Sequence, residues 1–337
     1  MEIYINGTGA ISPQPSFEEN NFTSEALSAT NAARLKCLEP DYKNYINPSS
    51  LRRMSRMIKM GIASSKICLE NANVSMPGAI ITGTGLGCVE DTEKFSLSIL
   101  ENHELLLTPT PFIQSTHNTV GGQIALLLGC HAYNFTYVHR GISFESSLLD
   151  ASMLIQEKAA DDILVGGIDE LTDNSYTLLQ QLGIYSRKKS LSSDLSDGTP
   201  AGEGAAFFLV SGKKTEQTQA KISVIKTFAG KHSSGSLGEK IKEVLSEKGK
   251  RLKDISLVLT GNSGNAKTDL VYQDLKRTIF KETDTTSFKQ YCGEYHTASA
   301  FGCWWAVKKI QRGEASSVLL CNQFGGADYS ILLIEKC

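Results

Sequence analysis

The chain has 337 residues, 41% of them hydrophobic and 21% charged, the make-up of an ordinary globular protein with room for one large domain or two average ones. With 34 Lys and Arg against 36 Asp and Glu, the formal charge is −2, so the chain carries no basic footprint for nucleic acid or an anionic membrane. Its eight cysteines form no CxxC pair, which excludes the usual zinc spacing, and no apolar run reaches transmembrane length.

The opening MEIYINGTGAISP lacks the basic-then-apolar layout of a secretory signal, so a cytoplasmic protein with reduced, buried thiols is expected. No motif calls for a cofactor or a metal.

Taken in chain order, short apolar runs alternate with helical patterns, which predicts an α/β fold with buried strands. MEIYING opens as a strand. A helix is expected over 51–71, with Met54, Met57, Ile58, Ile62 and Ile67 on one apolar face. The strand AIITGTG, a helix over 121–128, the strand FTYV, a helix over 144–158 and the strands DILVGGI and AAFFLVS follow. After the polar stretch SGKKTEQTQAK come ISVIKTFA, a helix over 237–248, LVLTGN, helices over 270–279 and 298–312, and the strands SVLLCNQF and YSILLIE. The polar stretch divides the chain into halves, 1–212 and 213–337. IYINGTG resembles LVLTGNSG, and DILVGGIDE resembles SVLLCNQFGGAD, as a duplicated βα unit predicts.

Four segments carry candidate chemistry. Residues 134–171 read as strand, sharp turn, helix, strand, with Gly141 at the mouth of the helix. A helix N-terminus offers unpaired N–H groups and partial positive charge, so a cysteine there would be a competent acyl acceptor. Gly141 has no side chain: it offers a bare N–H for an oxyanion, or it is a turn glycine at positive φ. SDGTPAGEGAAFFLVS brings Asp197 and Glu203 into a strand, and Glu203 is read as the anchor of a buried hydrogen-bond network rather than a catalyst. In CGEYHTASAFG, His296 precedes a helix rich in small residues, where a histidine can donate to a developing oxyanion. In LLCNQFGGAD, Cys321, Asn322 and Phe324 precede a glycine turn, with Cys321 the cysteine nearest that turn.

Together these pieces resemble the β-ketoacyl synthase family of the thiolase superfamily. YINGTGAISP is similar to the family's opening strand, LRRMSRMIKMGIASSKICLENANV to its arginine-rich early helix and SDGTPAGEGAAFFLVS to its DG…GEGA motif. HTASAFG is similar to its histidine motif GHxxGAxG, and FGGAD to its FGGTN turn. The resemblance implies a thiolase-like five-layer αβαβα sandwich built from two duplicated halves. It also implies chemistry on carrier-bound acyl thioesters by one cysteine and two histidines. Gly141 falls at the cysteine, Gly261 or Asn262 at the first histidine, and His296 at the second, with Lys289 near the position of the family's lysine. Asn322 falls at the gating phenylalanine and Phe324 at the second aromatic of that turn.

Two readings follow from the resemblance. In the first, the chain is similar to a chain length factor: a silent subunit that pairs with an active ketosynthase as a heterodimer, through the strand leading into Gly141, and is served by an acyl carrier protein. In the second, it is an acyltransferase or decarboxylase using His296 and Cys321. A homodimeric acyl-binding protein without turnover is a third. The run Arg52, Arg53, Arg56, Lys59 is either a docking site for the acidic carrier or a solvated helix face.

Overall fold

The computed structural model describes residues 2–18, 32–186 and 199–337; Asp197 lies outside them. The first part of the chain runs β1 (Ile3–Ile11), α1 (Pro48–Leu51), α2 (Arg56–Asn71), β2 (Ala79–Gly83), α3 (Val89–Glu101) and α4 (Pro109–Gln114). It continues through α5 (Thr119–Leu128), β3 (Tyr133–Tyr137), α6 (Ser143–Gln156), β4 (Asp162–Asp169), α7 (Asp173–Gln181) and β5 (Gly204–Ser211). The second part runs β6 (Ala220–Ala229), α8 (Ser234–Ser246), β7 (Leu257–Thr260), α9 (Leu270–Thr278), β8 (Thr285–Ser287) and α10 (Lys289–Cys292). It ends with α11 (Ala298–Gln311), β9 (Ser317–Phe324) and β10 (Asp328–Glu335).

The strands are ordered β3-β2-β4-β5-β1-β6-β10-β9-β7-β8, so the second five repeat the order of the first five about the β1–β6 seam. The pairing sense repeats as well. β2 is parallel to β3 and β4, as β7 is to β8 and β9; β5 runs antiparallel to β4 and β1, as β10 does to β9 and β6. The chain is thus two copies of one βα unit, and β7 occupies the place of β2. The echo heard between IYINGTG and LVLTGNSG is therefore misassigned: LVLTGNSG matches AIITGTG, whereas β4 and β9 match as the sequence suggests.

Strand residues alternate between two cores, because successive side chains of a strand point to opposite faces. In β5, Ala206, Phe208 and Val210 face a central core while Ala205, Phe207 and Leu209 face an outer one. In β9, Val318 and Leu320 face the central core, and Leu319 and Cys321 face a second outer core. Residues of α6 and α11 fill the central core, those of α2 and α5 the first outer core, and those of α8 and α9 the second. The result is the five-layer αβαβα sandwich. Strands buried on both faces explain the near-continuous apolar runs in the sequence.

Local expectations fail where tertiary context overrides pattern. The helix expected from residue 51 is broken after Leu51, and α2 starts at Arg56 with Ser55 before it. Helix α3 buries only Asp91 and leaves its apolar residues, among them Leu97 and Leu100, at the surface. Strand β8 has three half-buried residues, too few for a period-two signal. Among the described residues, no helix is long and apolar enough to cross a membrane.

Candidate functional site

The duplication places two helix N-termini together at the centre of the molecule. Helix α6 follows the single 3-10 turn Arg140–Ile142, and α11 follows His296 and Thr297. Both begin where parallel strands end, the position at which open α/β sheets collect ligands. The Ser143 hydroxyl accepts from the His139 N–H at 2.8 Å and lies 2.9 Å from the Thr84 carbonyl oxygen, tying the turn to the end of β2.

In this turn the left-handed residue is Arg140, at φ 52°, and not Gly141. The turn-glycine reading of Gly141 is therefore replaced by a steric one. A Cβ at residue 141 would lie 2.2 Å from the Cβ of Phe324 and 2.7 Å from its Cγ. Only a residue without a side chain lets the end of β9 come this close. The Gly141 N–H points toward Asp328 Oδ2 at 3.4 Å, a long contact.

The His296 ring stands 4.4 Å from the Phe324 ring, tilted by 31°. On the other strand end, a Cβ at Gly85 would lie 2.1 Å from His296 Cγ. The imidazole is therefore held between an aromatic ring and bare backbone. Its position is set from behind by Asp169, the last residue of β4, which accepts from the Thr84 hydroxyl (2.9 Å) and the Gly85 N–H (2.7 Å) with Oδ1. Oδ2 accepts from the Thr297 N–H (2.9 Å) and hydroxyl (2.8 Å). The buried Lys289 ammonium donates to Glu294 Oε2 at 2.8 Å and to the Gln323 carbonyl. Burial holds the Glu294 carboxyl above its usual range, against the pull of Lys289.

The structure thus brings together Gly141, His296 and Phe324, while the other residues picked from sequence face different surroundings. Asn322 shares the central face of β9 with Leu320; it is buried, and its Oδ1 has no hydrogen-bond partner. Cys321 points the opposite way, into the outer core with Val258 and Leu319, and burial pushes its thiol up to about 12. A neutral thiol on the far face of the sheet is no nucleophile for this cluster. Asn262 lines a cavity of about 170 Å3 with Tyr272 and Phe280, and its carbonyl accepts from the Ser287 hydroxyl at 2.7 Å.

Glu203, placed near the pocket from sequence, is fully buried in a network of its own. It accepts from Arg56 (2.6 and 2.7 Å), the Cys37 N–H (2.9 Å) and the Leu171 N–H (3.0 Å). Arg56 is consumed by Glu203 and Glu39, which leaves Arg52 and Arg53 as the exposed members of the basic run. Sequence reasoning missed Asp169, Asp328 and Gly85. A carboxylate closing a glycine-rich buried strand, as in GGID, is the signal that could have found the first. Among the described residues, no group of three or more His, Cys, Asp or Glu side chains is arranged to hold a metal ion.

The profile described as Beta-ketoacyl synthase, N-terminal domain matches residues 6–216. The chain belongs to the β-ketoacyl synthase family. Solved structures of that family superpose over its whole length. A β-ketoacyl synthase from Burkholderia phymatum STM815 matches with a TM-score of 0.82 at 15% identity, covering 100% of this chain and 99% of that one. The ishigamide ketosynthase/chain length factor matches at 0.83 and 14%, covering 99% of each. AntDE:AntF, a type II PKS acyl-carrier protein in complex with its ketosynthase bound to the hexaketide, matches at 0.75 and 13%, covering 100% of this chain and 99% of that one. At these identities the likeness shows a ketosynthase or chain-length-factor type of fold. No curated protein sequence matches the chain.

Proposed function

We propose that this ketosynthase-family chain is a non-condensing subunit, similar in role to a chain length factor, that pairs with an active ketosynthase working on acyl groups delivered by an acyl carrier protein. The observation that carries the reading is the contact between Gly141 and Phe324. At the N-terminus of α6, where the family's resemblance puts the acylated cysteine, stands a residue with no side chain and no room for one. Covalent acyl transfer needs a nucleophile, and neither backbone nor His296 supplies a thiolate there. The rest of the scaffold is intact, which suits a protein kept for its shape and surface. A ketosynthase/chain length factor and a ketosynthase bound to its carrier protein both stand among structures of this shape.

The surface supports a partner. Strand β3 ends the sheet, and one of its faces carries an aromatic row: Tyr133 to Phe135 at 6.2 Å, Phe135 to Tyr137 at 5.0 Å and Tyr137 to His139 at 5.4 Å between ring centroids. Tyr133 and Phe135 are 43% and 46% exposed. An uncovered edge strand with apolar side chains invites pairing with another sheet edge. The exposed Arg52 and Arg53 suit an acidic carrier protein.

The reading is tested by co-expressing the chain with an active ketosynthase of the same source and measuring native mass, alongside intact mass after incubation with acyl-carrier protein. A one-to-one heterodimer with no acyl adduct on this chain is expected. A stable homodimer that engages no ketosynthase would leave the acyl-binding alternative in its place. An adduct on this chain would return the lead to the enzyme reading.

A further inference from the structure

We propose that the vacated centre is sealed from within: Phe324 fills the space of the missing side chain at residue 141 and locks His296, so that substrate is excluded from the site. This rests on the reading that Gly141 stands where the nucleophile of an active relative would be. It goes further in stating that the loss was followed by closure, and that restoring a thiol alone cannot reopen the site.

Three contacts carry the inference, each joining parts distant in sequence. Phe324, at the end of β9, presses its Cβ, Cγ and Cδ1 to within 2.2, 2.7 and 3.1 Å of the point where a Cβ on residue 141 would be. Contacts under about 3 Å between a Cβ and another carbon are repulsive, so the turn and the ring cannot both keep their places if residue 141 has a side chain. The same ring lies 4.4 Å from His296, whose other side abuts Gly85. The half-buried imidazole is thus clamped between the ring and the backbone, which fixes its orientation and leaves little room beside Phe324 for a bound thioester. The Gly141 N–H, the remaining group able to hold an oxyanion, faces the carboxylate of Asp328, so an anion of the chain's own already stands before it. A ring, a carboxylate and a clamped imidazole together make a closed site rather than an empty one.

The test is thiol alkylation at residue 141. Gly141→Cys and Gly141→Cys/Phe324→Ala are treated with iodoacetamide, with the wild type and Phe324→Ala alone correcting for native thiols, and peptide mass mapping locates the label. The double variant is expected to label at residue 141 about a hundredfold faster than Gly141→Cys, because a covered thiol reacts only through rare opening. Equal rates in the two variants would overturn the seal, as would absence of label in a folded double variant.

Should Gly141→Cys fail to fold, modification of His296 by diethyl pyrocarbonate is compared in the wild type and Phe324→Ala. The seal predicts a rise of about tenfold on removal of the ring, and an unchanged rate overturns it. Partner capture is scored separately on Phe324→Ala, which leaves β3 untouched. A failed seal with an intact heterodimer then leaves the silent-subunit reading standing, and the reverse result removes that reading alone.

Discussion

Asp169 holds both the backbone N–H and the hydroxyl of Thr297, at 2.9 and 2.8 Å, and so fastens the start of α11 to the end of β4. With its other oxygen it holds Thr84 and Gly85. One buried carboxylate therefore joins β4, the turn after β2 and the helix that follows His296, across the two halves of the chain.

Replacing Asp169 with Ala strands four donors in a water-poor site. The expected cost is about 3–5 kcal/mol, since unsatisfied buried polar groups lose their full desolvation energy. Urea unfolding of Asp169→Ala against the wild type checks this. A cost below about 1 kcal/mol would mean that water enters freely and that Asp169 does not organise the site.

The neighbouring Glu170 gives a pH signature. It is 8% exposed, caps the Glu90 N–H at 3.0 Å, and has its carboxyl pushed up to about 7, chiefly by burial. Glu90 and Asp91 push in the same direction, while the backbone hydrogen bond and Arg56 oppose. Because the folded-state value lies above the ordinary 4.5, the folded protein binds the proton more tightly than the unfolded chain. The favourable contribution is complete below pH 4.5 and is lost as pH rises through about 7. Glu170→Gln cannot ionise, so its stability relative to the wild type should improve by roughly 2 kcal/mol between pH 5 and pH 8. Urea midpoints of both proteins across that range measure the difference, and a difference flat in pH contradicts the assignment.

Phe135 sits in the middle of the β3 aromatic row, half exposed, with neighbours at 6.2 and 5.0 Å. If that row meets a partner, Phe135→Asp should weaken association by about a hundredfold or more, because a charge buried in an apolar interface is left unpaired. The folded stability of the isolated chain should change little. Analytical ultracentrifugation of the co-expressed complex, with thermal unfolding as the control, separates the two effects. Unchanged association would move the interface elsewhere.

Much of this was legible in the chain itself. The runs DILVGGI, AAFFLVS, SVLLCNQF and YSILLIE announce strands buried on both faces, and a sheet with helices on both sides is the arrangement that hides them. Gly141 could be singled out because it interrupts a strand–turn–helix pattern, His296 because it stands at a helix entrance, and Phe324 because it closes a strand before a glycine turn. Strand β8 could not, since it is three residues long, and nothing in the sequence says that α3 leaves its apolar residues at the surface. Glu203 anchors a buried network as its motif suggested, though apart from the Gly141 cluster, whereas the side taken by Cys321 was out of reach. Nearness in sequence to a turn says nothing about which face of a strand a side chain takes, and one residue's difference sends Cys321 to the outer core and Asn322 to the central one.

What the sequence determined by itself was the class of fold, the alternation of its main buried strands with helices, and the glycine at residue 141. These depend on period, on turn residues and on identity, all of which are local. The tertiary structure alone decided that β7 repeats β2, that Asp169 binds the two halves at the site, and that Phe324 stands where a side chain on residue 141 would be. Those facts join residues 128 and 183 positions apart, and only the packing of two duplicated units about their shared seam brings them within contact distance.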